Sequence, residues 1–314
     1  MIDIPNGWDY MNWQVDFSNV SMDCLQDEEE GYIKDNNQEI LKVYNSSTYS
    51  GNRHRARLGD ISLVEIKDGN LKLRSATNSN KFPVPDDSRF GGSVATGIHY
   101  GKHEGIIHSF EPPVRIEIKF RPRWVPGNVL AIWMIAKNWV RSPDGSFFMK
   151  EFDLIEAGGQ FDEGDEPYGK HEVRSAVHSW QSETNNGGHK SSSIHNKNIV
   201  DFGSAGTWNT AVFEWLTGSD DKDKFIRYYI NDKLLLDVSP SDFNSSEEKK
   251  EPISSNYTWA ESISNVWNQP MYLILAHHIQ PSNMYLGYDN VDPDDFPVDI
   301  DFKWIHSYKK NENK

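Results

Sequence analysis

The chain has 314 residues, with 32 Lys and Arg against 47 Asp and Glu, a formal net charge of −15. So acidic a balance excludes nucleic acid and an anionic membrane as partners, because both need a positive footprint. The single cysteine, Cys24, excludes an internal disulfide, and no apolar run of about 18 residues is present to span a bilayer.

Without a Pro/Gly/Ser linker or a fixed-period repeat, residues 1–314 read as one domain, a length that all-β sandwiches reach. Residues 1–60 are polar, carry an acidic run at Asp27-Glu28-Glu29-Glu30, and read as an N-terminal wrap with one or two short strands. Within them Arg53-His54-Arg55-Ala56-Arg57 is a basic cluster, either a solvated loop or a contact for an anionic sugar. Strands are expected at 61–67, 70–75, 93–99, 114–121, 129–136, 150–157, 173–180, 210–216, 225–231, 234–238, 271–278 and 299–307. Turn signals such as Lys67-Asp68-Gly69-Asn70 separate them, as in an antiparallel β-sandwich. The segments 129–136 and 271–278 are almost continuously apolar and are expected to be covered on both faces. The polar stretches 181–200 and 239–262 read as surface loops, and no amphipathic helix longer than about three turns is expected.

The chemistry concentrates in Glu151-Phe152-Asp153-Leu154-Ile155-Glu156, three acids inside a β-prone apolar run. Burying a carboxylate is costly unless it is paired or hydrogen-bonded, so acids in such a segment have a use. Glu151 and Asp153 share one face of a strand, whereas Glu156 falls on the other unless a one-residue bulge near Leu154-Ile155 restores parity. Three carboxylates in a row drive their proton affinities apart, leaving one ionised while another keeps its proton. Retaining glycoside hydrolysis needs such a pair about 5–5.5 Å apart. An acidic edge strand or a calcium site is the alternative reading of the hexapeptide.

The hexapeptide resembles the E-x-D-x-x-E signature of glycoside hydrolase family 16, which includes laminarinases, agarases, κ-carrageenases and endo-β-galactosidases. Flanking segments are similar in order and spacing over roughly residues 90–308: Val114–Phe120, Gly127–Ile135, Ser175–Trp180, Val212–Trp215, Arg227–Lys233, Gln269–Leu275 and Asp301–Ile305. The chain departs from the family pattern at Lys150, where a Gly is usual, and at Asn209-Thr210-Ala211. It departs again at Ala276, where an Asn is common, with His277 and His278 beside it. The resemblance implies a jelly-roll, concanavalin A-like sandwich with a concave substrate cleft.

It also implies roles: Glu151 as nucleophile, Asp153 as the assisting acid and Glu156 as the acid/base, which apolar neighbours and nearby charge would keep protonated. His178 is implied as a cleft residue, with Trp180 two positions on along the same strand face. Trp133 and Trp139 are candidate sugar platforms, with core packing an equal claim on Trp133. Arg174 is a candidate for sugar hydroxyls or for a surface ion pair with Glu172. Asp301 matches the position of a structural calcium ligand in the family, and no other cofactor is implied.

The activity implied is that of an endo-acting retaining β-glycanase, acting alone as a monomer on a polysaccharide. The acidic charge turns the substrate reading toward a β-1,3 or mixed-linkage glucan, with a galactan as the alternative. A transglycosylase or a non-catalytic glycan-binding module of the same fold are further alternatives. Such a substrate lies outside the cell. Met1–Trp8 lacks the basic and apolar regions of a signal peptide, so a leader upstream is expected from the substrate class alone.

Overall fold

Period-two burial organises the middle of the chain into paired strands. The computed structural model describes residues 4–24, 31–36, 38–43, 56–58, 63–77, 89–98, 105–158, 168–183, 190–220, 223–244, 256–279 and 292–310. In chain order the strands begin β1 (Tyr10–Asp16), β2 (Ser21–Cys24), β3 (Gly31–Asp35), β4 (Gln38–Val43), β5 (Ala56–Leu58), β6 (Val64–Lys67) and β7 (Asn70–Thr77). They continue with β8 (Arg89–Ala95), β9 (Gly97–Ile98), β10 (Gly105–Ile106), β11 (Val114–Arg121), β12 (Asn128–Ala136), β13 (Val140–Arg141) and β14 (Phe147–Gly158). The rest are β15 (Lys170–Ser182), β16 (Lys190–Asp201), β17 (Asn209–Leu216), β18 (Phe225–Ile230), β19 (Lys233–Val238), the helix α1 (Trp259–Asn265), β20 (Met271–Ile279) and β21 (Val298–Lys309).

The outer leaf is built on β11, whose Val114, Ile116, Ile118 and Phe120 are buried while Arg115, Glu117, Lys119 and Arg121 stay half-exposed. That alternation belongs to a sheet wet on one side. β11 lies between β17 and β21, with β18 and β19 beyond β17 and with β1 and β7 on β21. In the second leaf β12 sits between β14 and β20 and is the nearly continuous apolar strand expected from its sequence. β15 and β16 extend it on one side, and β8, β4, β3 and β2 on the other. β8 also pairs with β7 and so ties the leaves together, and among the described residues every ladder is antiparallel except the short β5–β8 pair.

The core lies between the leaves. Phe152 of β14 meets Phe213 and Trp215 of β17 at ring-centroid distances of 5.8 and 5.4 Å, and the Tyr228 hydroxyl donates to the Ala176 carbonyl at 3.1 Å. Phe152 therefore points inward, and its neighbours Glu151 and Asp153 point to the opposite, concave face. The fold is an all-β jelly-roll sandwich, as the sequence led us to expect.

Three expectations need correction. Residues 190–200 of the stretch 181–200 read as a loop belong, with Asp201, to the twelve-residue strand β16, which pairs with β15 from Lys170 to Gln181. Its sequence, Lys-Ser-Ser-Ser-Ile-His-Asn-Lys-Asn-Ile-Val-Asp, hides this because most of an edge strand beside the concave face stays wet and needs few apolar residues. The stretch 239–262 includes the start of α1, which opens with Thr258 and Glu261 in a reciprocal capping box. The N-terminal wrap contains β1 to β5 rather than one or two strands. Asp27–Glu30 and Arg53–Arg55 lie outside the described residues.

Candidate active site

Register places the three acids of β14. On the β12 side Glu151 faces Ile135, Asp153 faces Trp133 and Glu156 faces Ala131, with a shift between Ile132 and Trp133 that leaves Leu154 unpaired. On the β15 side Glu151 faces His178, Asp153 faces Ala176 and Glu156 faces Arg174, with the shift between Asp153 and Glu156. Both ladders thus show the bulge that parity required, and Glu151, Asp153 and Glu156 stand on one face. Phe152, Leu154, Ile155 and Ala157 are buried in the core cluster. The bulge has a fastening: the buried Ser175 hydroxyl donates to the Leu154 carbonyl at 2.8 Å. Gly158 ends the strand at φ +98°, where an added Cβ would meet the Asn128 carbonyl at 2.3 Å.

Around Asp153 runs a short polar chain. The Asp153 Oδ2 lies 2.8 Å from His178 Nε2, and His178 Nδ1 lies 2.6 Å from the Ser193 hydroxyl of β16. With Asp153 ionised, the network favours the Nε2–H tautomer of His178 and a Ser193 hydroxyl that donates to Nδ1. Burial pushes Glu151 up to about 8, with Asp153 and Glu156 adding to the rise, while His178 and the nearby Trp180 indole restrain it. Burial also pushes Asp153 up to about 7. Two acids so close titrate as a pair, so near neutral pH Glu151 and Asp153 hold a proton between them. The sequence reading has Glu151 as the ionised member; in the structure Glu151 is driven upward because it is desolvated beside two other acids. Donor atoms of Glu151, Asp153 and His178 all lie within 4.8 Å of one another. The Asp153–His178 bond already uses one ligand atom from each of those two residues.

The other candidates lie as follows. Trp133 is half-buried on the rung of Asp153, and Trp180 stands two residues beyond His178, its ring 5.7 Å from the imidazole and tilted by 31°. Trp139 is on the turn between β12 and β13, half-buried against the core, past the Glu151 end of the row. Arg174 is nearly buried on the rung of Glu156, and its Nε donates to Glu172 at 2.8 Å, so the ion pair considered from sequence is formed.

Sequence reasoning missed Ser175, Ser193 and the direction of Lys150. Lys150 sits on the core face, fully buried, with Nζ 2.5 Å from both the Val266 and Trp267 carbonyls and 4.2 Å from the Trp215 ring centroid. Desolvation holds its pKa well below the ordinary lysine value. The departure from the family's Gly therefore alters the wall behind the strand and leaves the concave face unchanged.

Asp301 does not fit a calcium ligand. One carboxylate oxygen accepts from Lys72 Nζ at 2.9 Å and the other accepts from the Arg121 guanidinium, whose Nε is at 3.0 Å. Two cations already balance this acid, and a divalent ion beside them would be repelled.

No family model and no curated protein matches the sequence. The fold, in contrast, matches solved structures across nearly the whole chain. A structure reported with endo-acting O-glycanases that initiate mucin breakdown in the human gut microbiota has a TM-score of 0.61 at 18% identity, covering 98% of this chain and 93% of that one. The catalytic domain of an endo-1,3-β-glucanase (laminarinase) from Thermotoga petrophila gives 0.57 at 16% identity, with 97% and 99% covered. SCLam, a non-specific endo-β-1,3(4)-glucanase of glycoside hydrolase family 16, gives 0.57 at 15% identity, with 99% and 94% covered. The chain has the fold of that family's endo-glycanases.

Proposed function

We propose that this protein is an endo-acting retaining β-glycanase working by double displacement, with Glu151 as nucleophile, Asp153 assisting and Glu156 as acid/base. The observation that carries the reading is the bulge at Leu154, which turns Glu151, Asp153 and Glu156 onto one concave face. Glu151 attacks the anomeric carbon while Glu156 gives its proton to the departing glycosidic oxygen, forming a glycosyl ester. Glu156 then takes a proton from water, the water attacks the same carbon, and Glu151 leaves as carboxylate. Asp153, steadied by His178, takes the shared proton so that Glu151 carries the charge at the moment of attack. Trp133 and Trp180 flank the acids and offer apolar faces to a sugar ring.

For the substrate we favour a neutral β-1,3 or mixed-linkage glucan, since a chain of net charge −15 has no long-range attraction for a polyanion. A galactan is the second reading, with Arg174 on the rung of Glu156 the candidate contact for an anionic one, and the likeness to the structure reported with mucin-degrading O-glycanases adds a mucin O-glycan to the substrates worth testing. Either substrate suits a monomer acting outside the cell. A reducing-end assay on laminarin, lichenan, agarose and mucin O-glycan, with product sizing and anomer detection, tests the reading. Internal cleavage with retention is expected, Glu151→Ala abolishes it, and Glu156→Ala loses less on substrates with good leaving groups, which need little protonation in the first step, than on the polysaccharide. Inversion, or full activity in Glu151→Ala, overturns the proposal.

A further inference from the structure

The concave face extends past the acids to a histidine that the proposed reaction does not use. In β20 two histidines adjoin and point to opposite sides. His277 faces the core: its Nδ1 donates to the Leu73 carbonyl at 2.8 Å, and its Nε2 lies 3.0 Å from Asn128 Nδ2 and 3.2 Å from the Ser75 hydroxyl. Asn128 is itself held, donating to the Arg123 carbonyl and accepting from the Val125 N–H. This network fixes the backbone of β20, so His278 must project to the concave side.

Register locates it. Glu156 faces Ala131, Ala131 faces Ala276, and His278 lies two residues on, across from Val129 and Gly158. From strand spacing and rise, the His278 Cα is roughly 12 Å from that of Glu156, on the side away from Glu151. An acid/base protonates the oxygen of the leaving sugar, so the side past Glu156 is where the leaving part of the chain sits. Trp133 and Trp180 stand on the rungs of Asp153 and Met149, toward the other end, and the described stretch of β20 around His278 carries no aromatic ring.

The ring's own state follows from burial. His278 is half-buried, and its Nδ1 is fully enclosed with no hydrogen-bond partner among the described residues. An enclosed N–H without an acceptor is rarer than an enclosed lone pair without a donor, so the proton belongs on Nε2. Burial and the neighbouring His277 also push this imidazole down to about 4, which keeps it neutral across the physiological range. A neutral, rigidly mounted N–H donor thus lies beside the face that carries the acids. Resting on the glycanase reading above, we propose that His278 is a specificity-determining residue, donating Nε2–H to a hydroxyl of the leaving-side sugar.

The test compares a polysaccharide with an aryl β-disaccharide, whose leaving group carries no sugar past Glu156. The polysaccharide is whichever of laminarin, lichenan, agarose or mucin O-glycan the wild type cleaves fastest. His278→Ala should lower the ratio of kcat/KM on polysaccharide to kcat/KM on the aryl glycoside about tenfold, the effect of losing one well-placed hydrogen bond. Most of that loss should be in KM. His278→Gln, which restores an N–H donor, should recover about a third of the lost ratio or more. A ratio unchanged in His278→Ala overturns the inference and leaves the glycanase reading standing. Equal losses on both substrates, or a Gln variant no better than Ala, also overturn it, because they mark a packing role. A wild type that neither cleaves nor binds any of these glycans removes the glycanase reading and this inference together.

Discussion

The Ser175 hydroxyl and the Leu154 carbonyl, 2.8 Å apart, hold the bulge that aims Glu156 at the same space as Glu151. The extra residue of a bulge leaves a backbone group without its ladder partner, and here a side chain from the facing strand supplies one. Ser175→Ala leaves that buried carbonyl unsatisfied, at a cost of about 1–3 kcal/mol. Because the bulge also sets the position of the acid/base, kcat should fall by about tenfold, in keeping with the sensitivity of catalysis to small misplacements. KM should change little. Denaturation and steady-state kinetics on one preparation check both parts, and a variant with lowered stability and unaltered kcat would show that the bulge holds without its fastening.

The acid pair sets the pH response. Glu151 is pushed up to about 8 and Asp153 to about 7, so the singly protonated pair is fullest near neutral pH. The acid limb of kcat/KM should therefore fall near pH 7, well above that of an ordinary carboxylate nucleophile. Asp153 raises Glu151 and His178 lowers it. Asp153→Asn leaves Glu151 beside a neutral neighbour, as it is at the pair's first ionisation, so its acid limb should stay in place or rise slightly, whereas His178→Ala should move the limb clearly to higher pH, each with a reduced maximum. An acid limb that drops to lower pH in Asp153→Asn, or that stays put in His178→Ala, would contradict the assignment of the pair.

The same shifts carry a stability consequence. Both folded-state values lie above those of the free acids, so the stabilisation is complete below about pH 4 and is lost as pH rises through 7 and 8. Glu151→Gln removes a charge that the site is reluctant to hold, so its melting temperature should exceed the wild type's by a few degrees at pH 8 and by little at pH 4.5. Thermal melts at both pH values check the sign, and a larger gap at pH 4.5 would reverse it.

How much of this was legible in the sequence depends on which side of a strand carried the information. β11, β12 and β20 announce themselves because their inward residues are apolar, and the parity of Glu151, Asp153 and Glu156 alone demands a bulge. β16 does not, because much of it is wet and its serines and asparagines look like loop. With it went Ser193, the far end of the Asp153–His178 chain. Ser175 was equally silent: a serine facing a bulge differs in no local way from a serine elsewhere on a strand. Lys150 was visible as a departure, but only packing shows that it reaches inward to the segment after α1.

Asp301 and its two cations give a test on the outer leaf. Lys72 and Arg121 already neutralise the carboxylate from neighbouring strands. Added calcium or a chelator should leave the melting temperature within about one degree, since only a bound ion shifts stability by mass action. Asp301→Asn should cost about 1–2 kcal/mol, less than a fully enclosed pair would, because the Arg121 side chain is 33% exposed. A calcium-dependent rise in melting temperature that disappears in Asp301→Asn would establish the ion and displace the cation pairing.

Lys150 offers the sharpest contrast between variants. Its amine is enclosed against Trp215, with the Val266 and Trp267 carbonyls as acceptors, and these contacts tie the catalytic strand to the segment following α1. Because burial holds its pKa well below the free value, the fold must either strip its proton or enclose a charge. Lys150→Met keeps the volume and drops that requirement, so at pH 7 it should be within about 1 kcal/mol of the wild type. As pH climbs toward the free lysine value of about 10.4, the wild type gains stability from its readily deprotonated amine and the Met variant does not. The difference should therefore turn steadily in the wild type's favour. Lys150→Ala adds a cavity beside Trp215 and should lie about 2–4 kcal/mol below the Met variant at either pH. Chemical denaturation of the three proteins at pH 7 and pH 10 separates these effects, and a Met variant that gains on the wild type with rising pH would mean that Lys150 is held as a charged ammonium.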